Sequence, residues 1–200
     1  MKPTRQMIAS FVQEAAALLK TSRRFSNIYQ QMMTQNKKNV YAEYFNLNNR
    51  IKRYKYSKMD QNVKKYALYL SNKLKKSGTN RVVLKMANSP EWGEIFWALL
   101  MAGFVPMLVD AKLPRENVIN LANQGKAIAI VSDDNHEYTI DKIRLDNILQ
   151  NAKEEMTNPS WADEVIFSSS GTTGDAKLMV FNGENFVNQV CCSLDMPNES

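Results

Sequence analysis

Between Val63 and Leu74 apolar residues recur at helical spacing. Val63, Tyr66, Ala67, Leu70 and Leu74 share one face, and Lys64, Lys65, Lys73, Lys75 and Lys76 lie away from it. Ser57, with Asp60 three residues on, forms a capping arrangement for the start of this helix, and Gly78 marks its stop. The pattern then shortens. Arg81 to Met86 reads as a valine-rich strand, and Asn88-Ser89-Pro90 caps a helix with proline in its first turn. That helix runs to Ala102 and ends at Gly103. Phe104 to Val109 is a second apolar strand, followed by Asp110. Pro114 opens a further helix ending near Gly125, and Ala127 to Val131 is a third strand. Strand and helix alternating at this spacing imply parallel pairing with right-handed crossovers, so the fold class is α/β. One more short helix is expected around Asp141 to Ala152, followed by a polar loop up to residue 163. Val165-Ile166-Phe167 and Leu178-Met179-Val180-Phe181 are strand-like, and a helix starting near Glu184 carries Cys191 and Cys192.

The first 55 residues are less patterned. Residues 4 to 20 read as an amphipathic helix with Ile8, Phe11, Val12, Ala15 and Leu19 on one face. Residues 26 to 36 read as a second, and Val40 to Leu47 fits either a helix or a strand. Arg50, Lys52, Arg53, Lys55 and Lys58 form a basic cluster interleaved with Tyr54 and Tyr56; a solvated edge accounts for it, and a docking patch for an anionic partner is the alternative.

Composition narrows the class. An apolar content of 44% with seven glycines and six prolines in 200 residues belongs to a globular chain with a real core. The formal charge of +6 suits acidic ligands without specifying any, and nucleic-acid binding would rest on that charge alone. No apolar run reaches the ~18 residues that a membrane span needs. Gln13 and Glu14 cut short the only signal-like stretch, and Cys191-Cys192 makes no disulfide framework, so the expected location is cytoplasmic. His136 is the only histidine, which leaves no basis for a zinc site or a Ser-His-Asp triad. Asp133, Asp134 and Glu137 could take a divalent cation but lack the EF-hand spacing and glycine, and no metal site is predicted.

The candidate chemistry lies in Ser168-Ser169-Ser170-Gly171-Thr172-Thr173-Gly174-Asp175-Ala176-Lys177. Small and hydroxylated residues let backbone N–H groups approach a ligand closely and add O–H donors, and Lys177 supplies charge: this is the chemistry of a polyphosphate clamp. It is not a Walker A loop, because only two residues separate Gly171 from Gly174 and Lys177 follows Ala176. A flexible linker has similar composition, but linkers are seldom bounded by strands.

The segment resembles the T-S-G-T-T-G-x-P-K-G loop of the adenylate-forming synthetases, the AMP-binding family of acyl-CoA synthetases, peptide-synthetase adenylation domains and luciferases. Ser169 is a conservative replacement within it, and Ala176 stands where the family has proline. A second region resembles the family independently. Asn88-Ser89-Pro90-Glu91-Trp92 is similar to its N-S-P-E-[WF] turn. Ala98 to Gly103, then Pro106 and Val109-Asp110, are similar to A-x-L-K-A-G-A-x-x-[PV]-x-D, and Leu113-Pro114 sits where the family has L-P. The resemblance runs from about residue 54 to 187, with motifs in family order. Two further departures are Leu178, where the family has glycine, and Gly183, where it commonly has histidine; Asn185 still matches.

The resemblance implies an N-terminal portion of the family's large domain, a mainly parallel sheet flanked by helices and incomplete. Residues 1–53 would form a helical, basic N-terminal region, and 54–200 a partial AMP-binding domain with its phosphate loop at 168–177. It implies an ATP-dependent carboxylic acid:thiol ligase that first forms an acyl-adenylate and then a thioester. Ser169, Ser170, Gly171, Thr172, Thr173, Gly174 and Lys177 would hold the ATP phosphates, Mg²⁺ would offset their charge, and coenzyme A or a carrier pantetheine would accept the acyl group. The partners implied are a small carboxylic acid and an acyl carrier protein, with no nucleic acid and no transmembrane segment. The family's acid pocket and catalytic lysine lie later in its sequences, so residues 1–200 alone are expected to be inactive, with ATP affinity weaker than micromolar. The alternative is a non-catalytic remnant or binding module that keeps the fold. In either case an incomplete domain exposes apolar surface and a sheet edge, so self-association is expected; a monodisperse monomer by light scattering, with a sharp thermal transition, would contradict that.

Overall fold

A computed structural model describes residues 23–45, 50–75, 78–169 and 177–195. Helix α1 spans Phe25–Asn36, and strands β1 (Val40–Phe45) and β2 (Ile51–Lys55) pair antiparallel as a separate two-stranded ribbon. Then follow α2 (Tyr56–Lys73), β3 (Arg81–Lys85), α3 (Pro90–Met101), β4 (Val105–Leu108), α4 (Arg115–Gln124), β5 (Ala129–Ser132), β6 (Asp141–Arg144), α5 (Leu145–Asn151), β7 (Glu164–Ser169), β8 (Lys177–Asn182) and α6 (Gly183–Asp195). The main sheet has the order β6-β5-β3-β4-β7-β8, parallel throughout except for the antiparallel β7–β8 pair. The α/β reading holds. The helix expected at 4 to 20 lies outside the described residues.

Strand β3 sits between β4 and β5 and is buried on both faces, which is why it reads as an unbroken apolar run rather than an alternation. Successive side chains point to opposite faces, so Val82 and Leu84 join one core with α2, α3 and α5, whereas Val83 joins another with α4. Helix α3 starts as the sequence predicts: the Ser89 Oγ accepts the Trp92 N–H at 3.2 Å, with proline at the first position. It ends on Gly103 at φ 81°, where the Phe104 N–H reaches the Leu99 carbonyl at 2.9 Å and the Gly103 N–H the Leu100 carbonyl at 3.1 Å. Those paired bonds need a left-handed residue between them, hence the glycine.

Three expectations are corrected. Ser57 does not cap α2; the helix begins one residue earlier, and its first N–H groups bond instead to the backbone carbonyls of Asn39 and Lys37. Asp60 instead accepts hydrogen bonds from the Tyr29 hydroxyl at 2.9 Å and from Lys64 at 2.7 Å. The same helix ends at Lys73, short of Gly78, which lies in the following connection at φ 69°. The expected helix at Asp141–Ala152 is split: β6 adds a parallel strand beside β5, and only Leu145–Asn151 is helical. Val40–Leu47, ambiguous by pattern, forms β1 as far as Phe45. The basic cluster runs from Arg50, just before β2, along β2 to Lys58 in the first turn of α2; Arg53 pairs with Glu43 of β1 at 2.6 Å, and both side chains are solvated.

Candidate functional site

Strands β7 and β8 form a hairpin in which Ser169 pairs with Lys177, Ser168 with Leu178 and Phe167 with Met179. The candidate phosphate loop therefore closes one end of an antiparallel ladder, with Ser169 and Lys177 as facing neighbours. Ser170, Gly171, Thr172, Thr173 and Gly174 lie outside the described residues, while Lys177 is exposed at the start of β8. Because β7 runs parallel to β4, the hairpin opens at the carboxyl edge of the parallel strands, the side on which open α/β sheets bind ligands. A strand, not a helix, follows the loop, and this separates it structurally from a Walker A loop as the spacing already had. The Ser168 hydroxyl donates to the Leu108 carbonyl at 3.3 Å, tying the hairpin to β4. Leu178, which replaces a family glycine, packs against the core that contains Val118 and Ile166.

The same edge carries a polar cluster that sequence reasoning missed. Asp134 accepts hydrogen bonds from the Lys85 Nζ at 2.8 Å, the Tyr138 hydroxyl at 2.7 Å and the Lys142 Nζ at 3.2 Å. The side chains of Lys85, Lys142 and Asp134 are only 4%, 9% and 17% exposed. Burial opposes the charge on Asp134, but these hydrogen bonds, with the His136 backbone N–H, outweigh it and hold the carboxyl well below the usual range. Lys85 also donates to the Ala111 carbonyl, and Asp133 accepts the Ala87 N–H at 3.0 Å. The acidic stretch is thus occupied in clamping the ends of β3 and β5. His136 is exposed beside it, and Asp110 closes the turn after β4 by accepting the Lys112 N–H at 2.7 Å. No group of three acidic, histidine or cysteine side chains able to hold a metal occurs among the described residues. Mg²⁺ carried on nucleotide phosphates needs no such cage, since it keeps waters and takes one or two carboxylates at most.

Beside the hairpin lies an open apolar groove of about 670 Å³, walled by Trp92, Phe96 and Trp97 of α3, Phe167 of β7, Met179 of β8 and Phe186 of α6. Trp92 and Phe96 stack at 5.6 Å, and Phe167, Met179 and Phe186 are among the exposed large apolar residues. Deeper in the same layer, Glu94 is 1% exposed. Its Oε1 accepts from Asn62 at 2.9 Å, while its buried Oε2 has no partner among the described residues. Burial pushes this carboxyl up to about 7, with the Asn62 bond and Lys58 pulling the other way and Glu91 adding to the rise.

The AMP-binding enzyme family model matches residues 31–199. No curated protein matches the chain significantly. Among solved structures, the fold is similar to the N-terminal subdomain of Klebsiella oxytoca NpsA in complex with 3-hydroxybenzoyl-AMSN. The TM-score is 0.70 and the identity 19%, over 80% of this chain and 41% of that one. It is also similar to NpsA-ThdA, an artificially fused adenylation–PCP di-domain from the same organism, with TM-score 0.69 and 21% identity over 82% of this chain and 33% of that one. A nonribosomal peptide synthetase in an AMPPNP-bound form matches with TM-score 0.57 and 17% identity, over 70% of this chain and 16% of that one. The chain spans about two-fifths of the length of the NpsA subdomain. No described helix is long and apolar enough to cross a membrane. With its family-model match covering most of its length, and its sheet following that of the adenylation subdomains, the chain belongs to the AMP-binding enzyme family.

Proposed function

We propose that this chain is part of an ATP-dependent carboxylic acid ligase, with Ser169, Ser170, Gly171, Thr172, Thr173, Gly174 and Lys177 gripping the β- and γ-phosphates of ATP. The observation that carries the reading is the pairing of Ser169 with Lys177 at the mouth of a hairpin on the carboxyl edge of the sheet. That register makes the two ends of the loop neighbours, which supports a reading in which its backbone N–H groups and the Lys177 ammonium act on one ligand. An acid's carboxylate attacks the α-phosphorus, the bond to the β-phosphate oxygen breaks, and pyrophosphate leaves. Donors aimed at the departing oxygens lower the barrier because they bind the charge as it develops. Mg²⁺ bound with the nucleotide supplies further neutralisation.

Transfer of the acyl group to coenzyme A or a carrier pantetheine is the second step of the same reading. It is supported by the likeness to NpsA, crystallised with an acyl-AMSN compound and fused to a PCP in a related structure. We retain the division into a basic N-terminal region at 1–53 and a partial AMP-binding domain at 54–200, and a cytoplasmic setting. A non-catalytic remnant is the second reading, favoured by Ala176 and Leu178 at family proline and glycine positions.

The test is ATP–pyrophosphate exchange, run on the product of the gene's whole reading frame against a panel of aryl and aliphatic acids. Acid-dependent exchange is expected, reduced roughly 10²-fold by Lys177→Ala, the cost of one lost charge-stabilising donor. Absence of exchange with every acid, in protein that still binds ATP, would favour the second reading.

A further inference from the structure

Gly183 is buried at the junction between β8 and α6, against the chain entering α1. A Cβ on Gly183 would collide with the Arg23 carbonyl oxygen and come within 2.8 Å of the Phe25 nitrogen and 2.9 Å of the Arg24 carbonyl carbon. All three are backbone atoms, which cannot swing aside as a side-chain tip does. The absence of a side chain at 183 is what lets residues 23–25 cross the start of α6. Five more contacts hold the crossing. The Arg23 Nη1 donates to the Asn188 Oδ1 at 2.6 Å and lies 3.7 Å from the Glu184 carboxylate. The Phe25 N–H donates to the Asp163 Oδ1 at 2.8 Å, just before β7. The Phe25 ring, 3% exposed, meets the Phe186 ring of α6 at 5.9 Å and the Trp97 ring of α3 at 6.3 Å.

We infer that Arg23–Phe25 is a positioning strap: it fastens α6 to the entry of β7 and to α3, and so fixes the strand that carries Lys177. Lys177 and Gly183 are the two ends of one connected unit, β8 and the first residue of α6. The junction is already braced from within, since the Asn185 N–H donates to the Asn182 side chain at 2.8 Å and the Asn182 N–H to the Asn185 side chain at 3.3 Å. These reciprocal bonds fix the direction in which α6 leaves β8. They do not attach the pair to the rest of the protein; at the α6 end the strap does so together with Val187, which is buried in the core that contains Val118 and Ile166. Asp163 links it to the residue preceding β7, so both strands of the hairpin are referred to the same three residues. The consequence for nucleotide rests on the reading of Lys177 given above, whereas the strap itself does not.

Hydrogen exchange on the whole chain tests it. Gly183→Ala is expected to speed exchange about tenfold or more at 24–28, at 183–189 and in β8, while β3 and α3 keep their protection. Arg23→Ala removes the hydrogen bond and the ion pair without touching the core, and should give the same pattern at several-fold. If Gly183→Ala loosens the whole molecule, Arg23→Ala decides. Exchange in α6 and β8 within twofold of the parent in Arg23→Ala would overturn the strap. So would a rise confined to 24–28. Positioning of Lys177 is read separately as a roughly threefold rise in the Kd for Mg·ATP in Arg23→Ala, at unchanged Tm. A parent chain that binds no nucleotide would end the reading of Lys177, while exchange in β8 would still decide the strap.

Discussion

Replacing Asp134 with alanine is expected to lower the free energy of unfolding by about 3 to 5 kcal/mol, the cost of leaving buried charges without their partner. The size of the effect follows from the stoichiometry of the cluster. One carboxylate faces two lysines whose side chains are 4% and 9% exposed, and neither can turn to water without leaving the sheet edge. Tyr138 and the His136 N–H lose their acceptor in the same substitution. Asp134→Asn should fall between the parent and the alanine variant, because an amide oxygen still accepts but carries no charge. The pH dependence has a definite sign. The carboxyl is held below its ordinary value of 3.8, so its contribution is complete above that value and disappears as the pH falls further. Urea unfolding at pH 7 checks the first claim, and a repeat near pH 3 checks the second, where the gap between parent and variant should have begun to narrow without closing. A loss below about 1 kcal/mol at pH 7 would mean that the lysines reach solvent and that the cluster is no more than a surface pair.

Glu94 gives the opposite dependence. Its folded value of about 7 stands above the ordinary 4.5, because burial disfavours the charged form more than the Asn62 bond favours it. Its neutral form is therefore compatible with full stability below about pH 4.5, and stability declines as the pH rises from there through about 7. Above that range Glu94 ionises in both states and adds no further slope. The total decline is roughly 3 kcal/mol at 1.36 kcal/mol per unit. Glu94→Gln keeps the acceptor for Asn62 and removes the charge, so its stability relative to the parent should grow by that amount between pH 4 and pH 8. Denaturant midpoints across this range would show it, and parallel curves for the two proteins would contradict it. Around this carboxyl stand Glu91 on α3, Lys58 and Tyr66 on α2, Tyr41 and Tyr54 on the β1–β2 ribbon, and Tyr29 on α1. Burial and then Glu94 hold the Tyr41 hydroxyl up, at about 12, away from the range in which Glu94 changes charge.

Both clusters were hidden from the sequence for the same reason. Lys85 and Asp134 are 49 positions apart, and Asn62 and Glu94 are 32 apart. Nothing local at Lys85 distinguishes a buried strand-end lysine from a solvated one. What was legible depended on short-range physics. Ser89-Pro90 and Gly103 bracket α3 because capping bonds and a left-handed turn are set within a few residues. The apolar runs of β3, β4 and β5 are legible because burial on both faces confines polar residues to the strand ends. Strand β6 was misread because Asp141, Lys142 and Arg144 look like a helical turn. Its identity is fixed instead by pairing with β5 and by the Lys142 Nζ reaching back to Asp134 and to the His136 carbonyl. The start of α2 failed similarly, since a remote loop supplies the acceptors that a side-chain cap would have given. For the candidate site, motif order and spacing single out Ser169 and Lys177, and the hairpin sets them opposite each other in register. The strap over Gly183 required the tertiary structure, because a glycine after a strand has many explanations until a second chain segment is seen crossing it.

The most direct test of the account is a titration of the isotopically labelled chain with Mg·ATP, followed by nuclear magnetic resonance, beside the Lys177→Ala variant. The account predicts saturable shifts concentrated at 168–178, with an affinity weaker than micromolar, and their loss or marked weakening in the variant. Shifts of equal size in the variant, or none at 168–178 at millimolar nucleotide, would contradict it.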